Sequence, residues 1–161
     1  GLYGFYNEDI SKVNNDVVLV DSSLRVTKRL YLKKIVNNSV EMIEIKEGDS
    51  LHIGEEVTVR IEIKSDRDID YIHIKDIGGI CFERLDKLSS YKYIGGLSYY
   101  ESIGDLWSDI FIGHLNRGVY VIEYRMFITQ RGLFGTGRTT IESIYSSRYR
   151  FVEGGLKVYV N

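Results

Sequence analysis

Eight consecutive residues constrain this chain more than any others. Val57, Val59, Ile61 and Ile63 alternate with Thr58, Arg60, Glu62 and Lys64. Successive side chains of a strand point to opposite faces, so this run is a strand with one face buried and one wet. Such a strand needs antiparallel neighbours and a second layer over its apolar face. The composition agrees. There are 13 Tyr and 16 Gly, no Pro and no Ala in 161 residues. Tyrosine and β-branched residues favour strands, glycines mark turns, and long helices lack their best former. The expected fold class is all-β, an antiparallel β-sandwich with little or no helix.

Other segments fit the same architecture. Leu24 to Val36 reads as a strand with Leu24, Val26, Leu30, Leu32 and Ile35 inward, and Asn37-Asn38 as its turn. Val40 to Ile45 alternates in part, and Glu47-Gly48-Asp49 and His52 to Glu55 read as turns. Ile69 to Lys75 and Ile77 to Glu83 read as two strands separated by a bend at Asp76. Tyr91 to Tyr93 and Leu97 to Ser102 flank Gly95-Gly96 as a hairpin. Leu106 to Ile112 reads as a strand ended by Gly113. Val119 to Thr129 is a long strand with Tyr120, Ile122, Tyr124, Met126 and Ile128 on one face. Gly132 to Gly137 reads as a loop, Arg138 to Tyr145 as a strand and Leu156 to Val160 as the closing strand. Short strands at this spacing predict one sandwich over residues 17–161, with Val17 to Val20 as a short first strand. Residues 1–16, which carry Tyr3, Phe5 and Tyr6, read as an arm or linker from a preceding domain.

Charge and length exclude some functions. A chain of this length buries roughly two-thirds of its unfolded surface and needs no metal or disulfide staple. A net charge of −2 offers no basic excess for nucleic acid. No apolar run approaches the roughly 20 residues of a membrane span. Neither a basic leader nor an apolar core follows Gly1, and a trimmed leader would leave the same start. One cysteine excludes an internal disulfide and leaves the compartment open.

Four features suggest chemistry. Asp66, Asp68 and Asp70 open like a calcium loop, but Tyr71 and Ile77 stand where such a loop has Gly and Glu, so a solvated turn is expected. Cys81 lies between Ile80 and Phe82, which suits a small buried hydrophobe better than a nucleophile. A hydrolase would need it exposed beside His52, His73 or His114. These three scattered histidines lack zinc-ligand spacing. Gly132-Leu-Phe-Gly-Thr-Gly-Arg-Thr139 nearly spells a phosphate-binding loop, but Arg138 replaces the lysine and strand-like residues follow. No catalytic residue, metal or cofactor is expected. The fourth feature is aromatic. Tyr91, Tyr93, Tyr99, Tyr100 and Trp107 form a candidate interaction surface for a sugar or a protein partner. Alternation would equally send half of them into the core.

Together the motifs resemble a known family. Val57-Thr-Val-Arg-Ile-Glu-Ile, Asp66-Arg-Asp-Ile-Asp-Tyr-Ile-His-Ile-Lys-Asp, Cys81-Phe-Glu, Tyr99-Tyr-Glu-Ser, Leu115-Asn-Arg-Gly-Val-Tyr-Val-Ile-Glu-Tyr, Gly132-Leu-Phe, Thr139-Thr-Ile-Glu-Ser-Ile-Tyr and Glu153-Gly-Gly-Leu-Lys-Val-Tyr-Val resemble, in order and spacing, the C-terminal domain of bacterial alpha-2-macroglobulin-like proteins. Leu24-Arg-Val-Thr-Lys-Arg-Leu-Tyr-Leu-Lys-Lys resembles its entry, and residues 1–13 resemble the link from the preceding thioester-region domains. The chain departs from the pattern where prolines are usual, at Arg84, Asn116 and Ser146-Ser147, which restores backbone donors and frees the unfolded chain.

The resemblance implies a macroglobulin-like sandwich ending a large, exported, multidomain protease inhibitor of the bacterial cell envelope, periplasmic or surface-associated. Its partners would be other domains of the same protein, and target proteases through the full-length molecule. It implies no enzyme here. Cys81 is followed by Phe82-Glu83 rather than the Leu-Glu-Gln of a thioester. A carbohydrate- or protein-binding module using the tyrosines is the alternative reading.

Overall fold

The computed structural model describes residues 23–161, so the arm at 1–16 and the strand expected at Val17 to Val20 lie outside the described residues. Fourteen strands follow in chain order: β1 (Leu24–Val36), β2 (Ser39–Glu44), β3 (Ser50–Leu51), β4 (Glu56–Ser65), β5 (Ile69–Ile77), β6 (Phe82–Arg84), β7 (Ser90–Ile94), β8 (Leu97–Ile103), β9 (Trp107–Leu115), β10 (Gly118–Ile128), β11 (Gly132–Gly135), β12 (Thr139–Ser143), β13 (Ser146–Glu153) and β14 (Lys157–Val160). There is no helix among the described residues.

Two sheets make the sandwich. One is five-stranded in the order β2-β1-β4-β10-β6, the other six-stranded in the order β13-β12-β5-β9-β8-β7. All their pairings are antiparallel. A third sheet, β11-β14-β3, has β14 and β3 parallel and adds Leu51, Val158 and Val160 to the same core.

The alternation in β4 holds throughout. Val57, Val59, Ile61 and Ile63 are fully buried against Ile72, Ile74, Ile110 and Ile112 of the facing sheet's strands, within one apolar cluster. Two turns form as their residues require. Asn37 and Asn38 have φ of 51° and 62°, and Gly95 and Gly96 have 56° and 84°. Two positive φ values in succession define the hairpin turn whose twist matches its strands, and asparagine and glycine tolerate them best.

Several expectations need correction. Ile35 is 75% exposed: beyond Leu32 the pairing of β1 with β4 stops and only β2 remains beside it, so no second layer covers the hairpin end. The chain does not bend at Asp76. β5 runs through it to Ile77, and the turn falls beyond Gly78-Gly79 at Ile80-Cys81, closed by the Phe82 amide donating to the Gly79 carbonyl at 3.1 Å. The strand expected from Ile77 to Glu83 shrinks to β6, which joins the opposite sheet. Gly113 does not end β9, because it lies opposite Tyr71 inside the β5–β9 ladder. There the inward face changes parity on both strands, with Ile69 and Ile72 buried on one and Ile112 and Leu115 on the other. Tyr71 makes this switch at φ 56°, a strained conformation for a side chain of its size. The loop expected at Gly132 to Gly137 contains β11, paired with β14. The strand expected to run to Tyr145 turns at Ile144-Tyr145 and returns as β13.

Candidate interaction surface

The antiparallel registers bring one residue from each strand of the six-stranded sheet into a single row: Tyr91, Tyr100, Phe111, His73, Glu142 and Arg150. Cross-strand neighbours on one face touch. The rings of Tyr91 and Tyr100 are 4.8 Å apart, and those of His73 and Phe111 stack at 4.9 Å and 15°. His73 Nε2 lies 2.7 Å from Asp109 Oδ1, and Arg150 pairs with Glu142 at 3.6 Å. The row thus grades from aromatic to charged. Tyr71 and Tyr145 meet edge to face at 5.0 Å, and Lys75 lies over the Trp107 ring at 5.3 Å.

Of the five aromatic residues expected at this surface, Tyr91 (86%), Tyr93 (72%) and Trp107 (47%) are exposed, and Tyr100 is half-buried. Tyr99 is 3% exposed. It alternates with Tyr100 and faces the core beside Leu97, so it leaves the set, and burial raises its hydroxyl pKa to about 12. Phe111, Tyr71 and Tyr145 belong to the face and were missed. Alternation with the buried Ile110 and Ile112 is the signal that would have placed Phe111 outward.

The remaining suggestions of chemistry come apart. Asp66 pairs with Arg67 at 3.4 Å, Asp68 accepts the Arg117 amide at 2.7 Å, and Asp70 is hydrogen-bonded to His114. The three carboxylates therefore serve separate partners, and no group of metal-binding side chains gathers among the described residues. His52 lies beside Glu55, so each histidine has an acidic neighbour. The glycine-rich stretch spends its backbone within the fold: the Thr136 amide donates to Leu156 and Leu156 donates to the Thr136 hydroxyl, both at 2.8 Å. A strand follows it, where a phosphate-binding loop needs a helix.

Cys81 is fully buried, and desolvation pushes its thiol up to about 11. Nucleophilic attack needs the thiolate. Native protein at pH 7.5 should therefore take up no iodoacetamide, whereas urea-unfolded protein should be labelled at one site, as intact mass will show. Labelling of the native state at the unfolded rate would contradict the burial.

The sequence profile of the bacterial alpha-2-macroglobulin MG10 domain matches residues 24–147. Three solved structures share the fold: Salmonella alpha-2-macroglobulin reacted with methylamine (15% identity, TM-score 0.62, 86% of this chain and 9% of that one), native alpha-2-macroglobulin from Escherichia coli from domain MG7 to the C-terminus (15%, 0.63, 86% and 24%), and Escherichia coli alpha-2-macroglobulin activated by porcine elastase (14%, 0.67, 88% and 13%). The chain thus spans a quarter or less of each of these structures. No curated protein sequence matches it.

Proposed function

Because this chain belongs to the bacterial alpha-2-macroglobulin family, as an MG10 domain, we propose that it is the non-enzymatic terminal domain of a macroglobulin-like protease inhibitor, packing against thioester-region domains while the whole molecule traps a protease. The match over residues 24–147 carries this reading. A buried thiol and dispersed carboxylates support the absence of catalysis. The parent is exported to the bacterial cell envelope, periplasmic or surface-associated, and meets proteases through its other domains. The exposed aromatic row is the face offered to those domains.

The test is made on the parent protein encoded by the same gene. With this domain present it should shield a protease from large substrates, and without it the shielding should be lost, while the isolated 161-residue chain should inhibit nothing. A gene with no bait or thioester-region domains upstream would overturn the proposal, and so would inhibition by the isolated chain.

The exposure of Tyr91, Tyr93 and Trp107 favours one second reading, a sugar-binding face, since exposed rings stack on pyranose planes. Glycan-array binding that disappears in Tyr91→Ala and Trp107→Ala would support it. Binding unchanged by both would exclude it.

A further inference from the structure

Seven side chains form one chain of contacts across the sandwich, most of it buried. Lys28 of β1 donates to Asp76 of β5 at 2.8 Å and to the carbonyls of Ile77 at 3.1 Å and Thr136 at 3.4 Å. Asp76 also accepts the Tyr124 hydroxyl of β10 and the Thr139 hydroxyl of β12, the latter at 2.8 Å. The Tyr124 ring lies 4.1 Å beneath the Arg84 guanidinium of β6. Arg84 grips Glu101 of β8 through two bonds of 3.0 Å, and Lys92 of β7 reaches the same carboxylate at 2.7 Å. Side-chain exposure is 2% for Lys28 and 1% for both Asp76 and Glu101. The contacts cross between the two main sheets at Lys28–Asp76, Asp76–Tyr124 and Arg84–Glu101.

Each charged member is the odd residue in an otherwise apolar or uncharged inward column. Lys28 stands among Leu24, Val26, Leu30 and Leu32, Asp76 follows Ile72 and Ile74, and Glu101 follows Leu97 and Tyr99. A strand slipped by two residues, about 6.6 Å, would present the same kind of apolar face to the core, because side chains repeat every second residue. Aliphatic burial therefore cannot tell the native alignment from its two-residue neighbours. The charged residues can, since any such slip leaves a buried charge without its partner.

We infer that this network sets the register of the sandwich, excluding slipped alignments that its period-two apolar columns would otherwise admit. Its role is selection of one alignment rather than supply of net stability. Buried ion pairs often break even against apolar replacements of similar volume, and polar residues in apolar seams are known to fix register.

The test uses the full 161-residue chain with Lys28→Met, Asp76→Leu, Tyr124→Phe and Thr139→Val combined. Exposed reporter pairs read the β1–β4 register: Arg29→Cys with Arg60→Cys for the native pairing, and Arg29→Cys with Glu62→Cys for the slip of two. In the parent background only the native pair should oxidise to a disulfide. In the apolar background we expect cooperative unfolding at an undiminished Tm, together with a several-fold rise in the slipped disulfide. Cross-linking of the native pair alone in that background overturns the inference. Outright loss of folding overturns it too, because the network would then be a requirement for stability.

Discussion

Asp76→Ala alone should cost the fold about 3–5 kcal/mol, because it strands the Lys28 ammonium in the core. Lys28 would keep only the two backbone carbonyls, and the Tyr124 and Thr139 hydroxyls would both lose their acceptor. Single truncation and matched apolar replacement thus point in opposite directions. The first leaves a charge desolvated without compensation, while the second removes the charge and its partners together. Urea denaturation reads the loss as a lower midpoint at unchanged slope. A loss below about 1 kcal/mol would place the pair with surface ion pairs, which its 1–2% exposure contradicts.

Asp76 also shows where the sequence stops being readable. A carboxylate after Ile72 and Ile74 reads locally as a break, since nothing within several residues can satisfy it. Its partners lie 48 positions away on both sides, at Lys28 and Tyr124, and 63 away at Thr139. Only the tertiary fold brings them together. The β4 alternation and the two hairpin turns were legible because their causes are local: side-chain period in one, positive φ in the others. β13 was missed because its hairpin turns at Ile144-Tyr145 with no Gly, Pro, Asn or Asp to punctuate it. The alternation of Arg148 and Arg150 with Tyr149 and Phe151, the latter two packed on the core, was the overlooked signal. Of the interaction surface, the tyrosines could be placed in a region but not on a face, because Tyr99 and Tyr100 are adjacent and one of them had to turn inward. The row as a whole depends on cross-strand register, which joins residues 91, 100, 111, 73, 142 and 150 in an order no local window contains.

The glycine-rich stretch that imitates a phosphate-binding loop supplies the second large effect. Gly137→Ala should destabilise by about 3 kcal/mol or more, among the large values for single substitutions. Two causes add. Gly137 has φ of +93°, and a side chain forced to positive φ costs about 1–2 kcal/mol. Space is the greater obstacle: a Cβ there would lie 1.8 Å from the Ile77 carbonyl oxygen and 2.6 Å from its carbon. No rotamer relieves a clash with backbone. That carbonyl accepts from Lys28, and the Ile77 amide donates to Arg138 at 2.8 Å, so pushing it away disturbs the inter-sheet network as well. Gly54→Ala is the control. Gly54 has φ of +87° with nothing within 4 Å of its missing Cβ, so only the conformational cost of about 1–2 kcal/mol should appear. Equal losses at the two positions would mean that close packing at Gly137 is not what demands glycine there. A larger loss at Gly137 would show that its glycine admits a neighbouring strand's backbone, where the phosphate-binding loop it imitates admits a ligand.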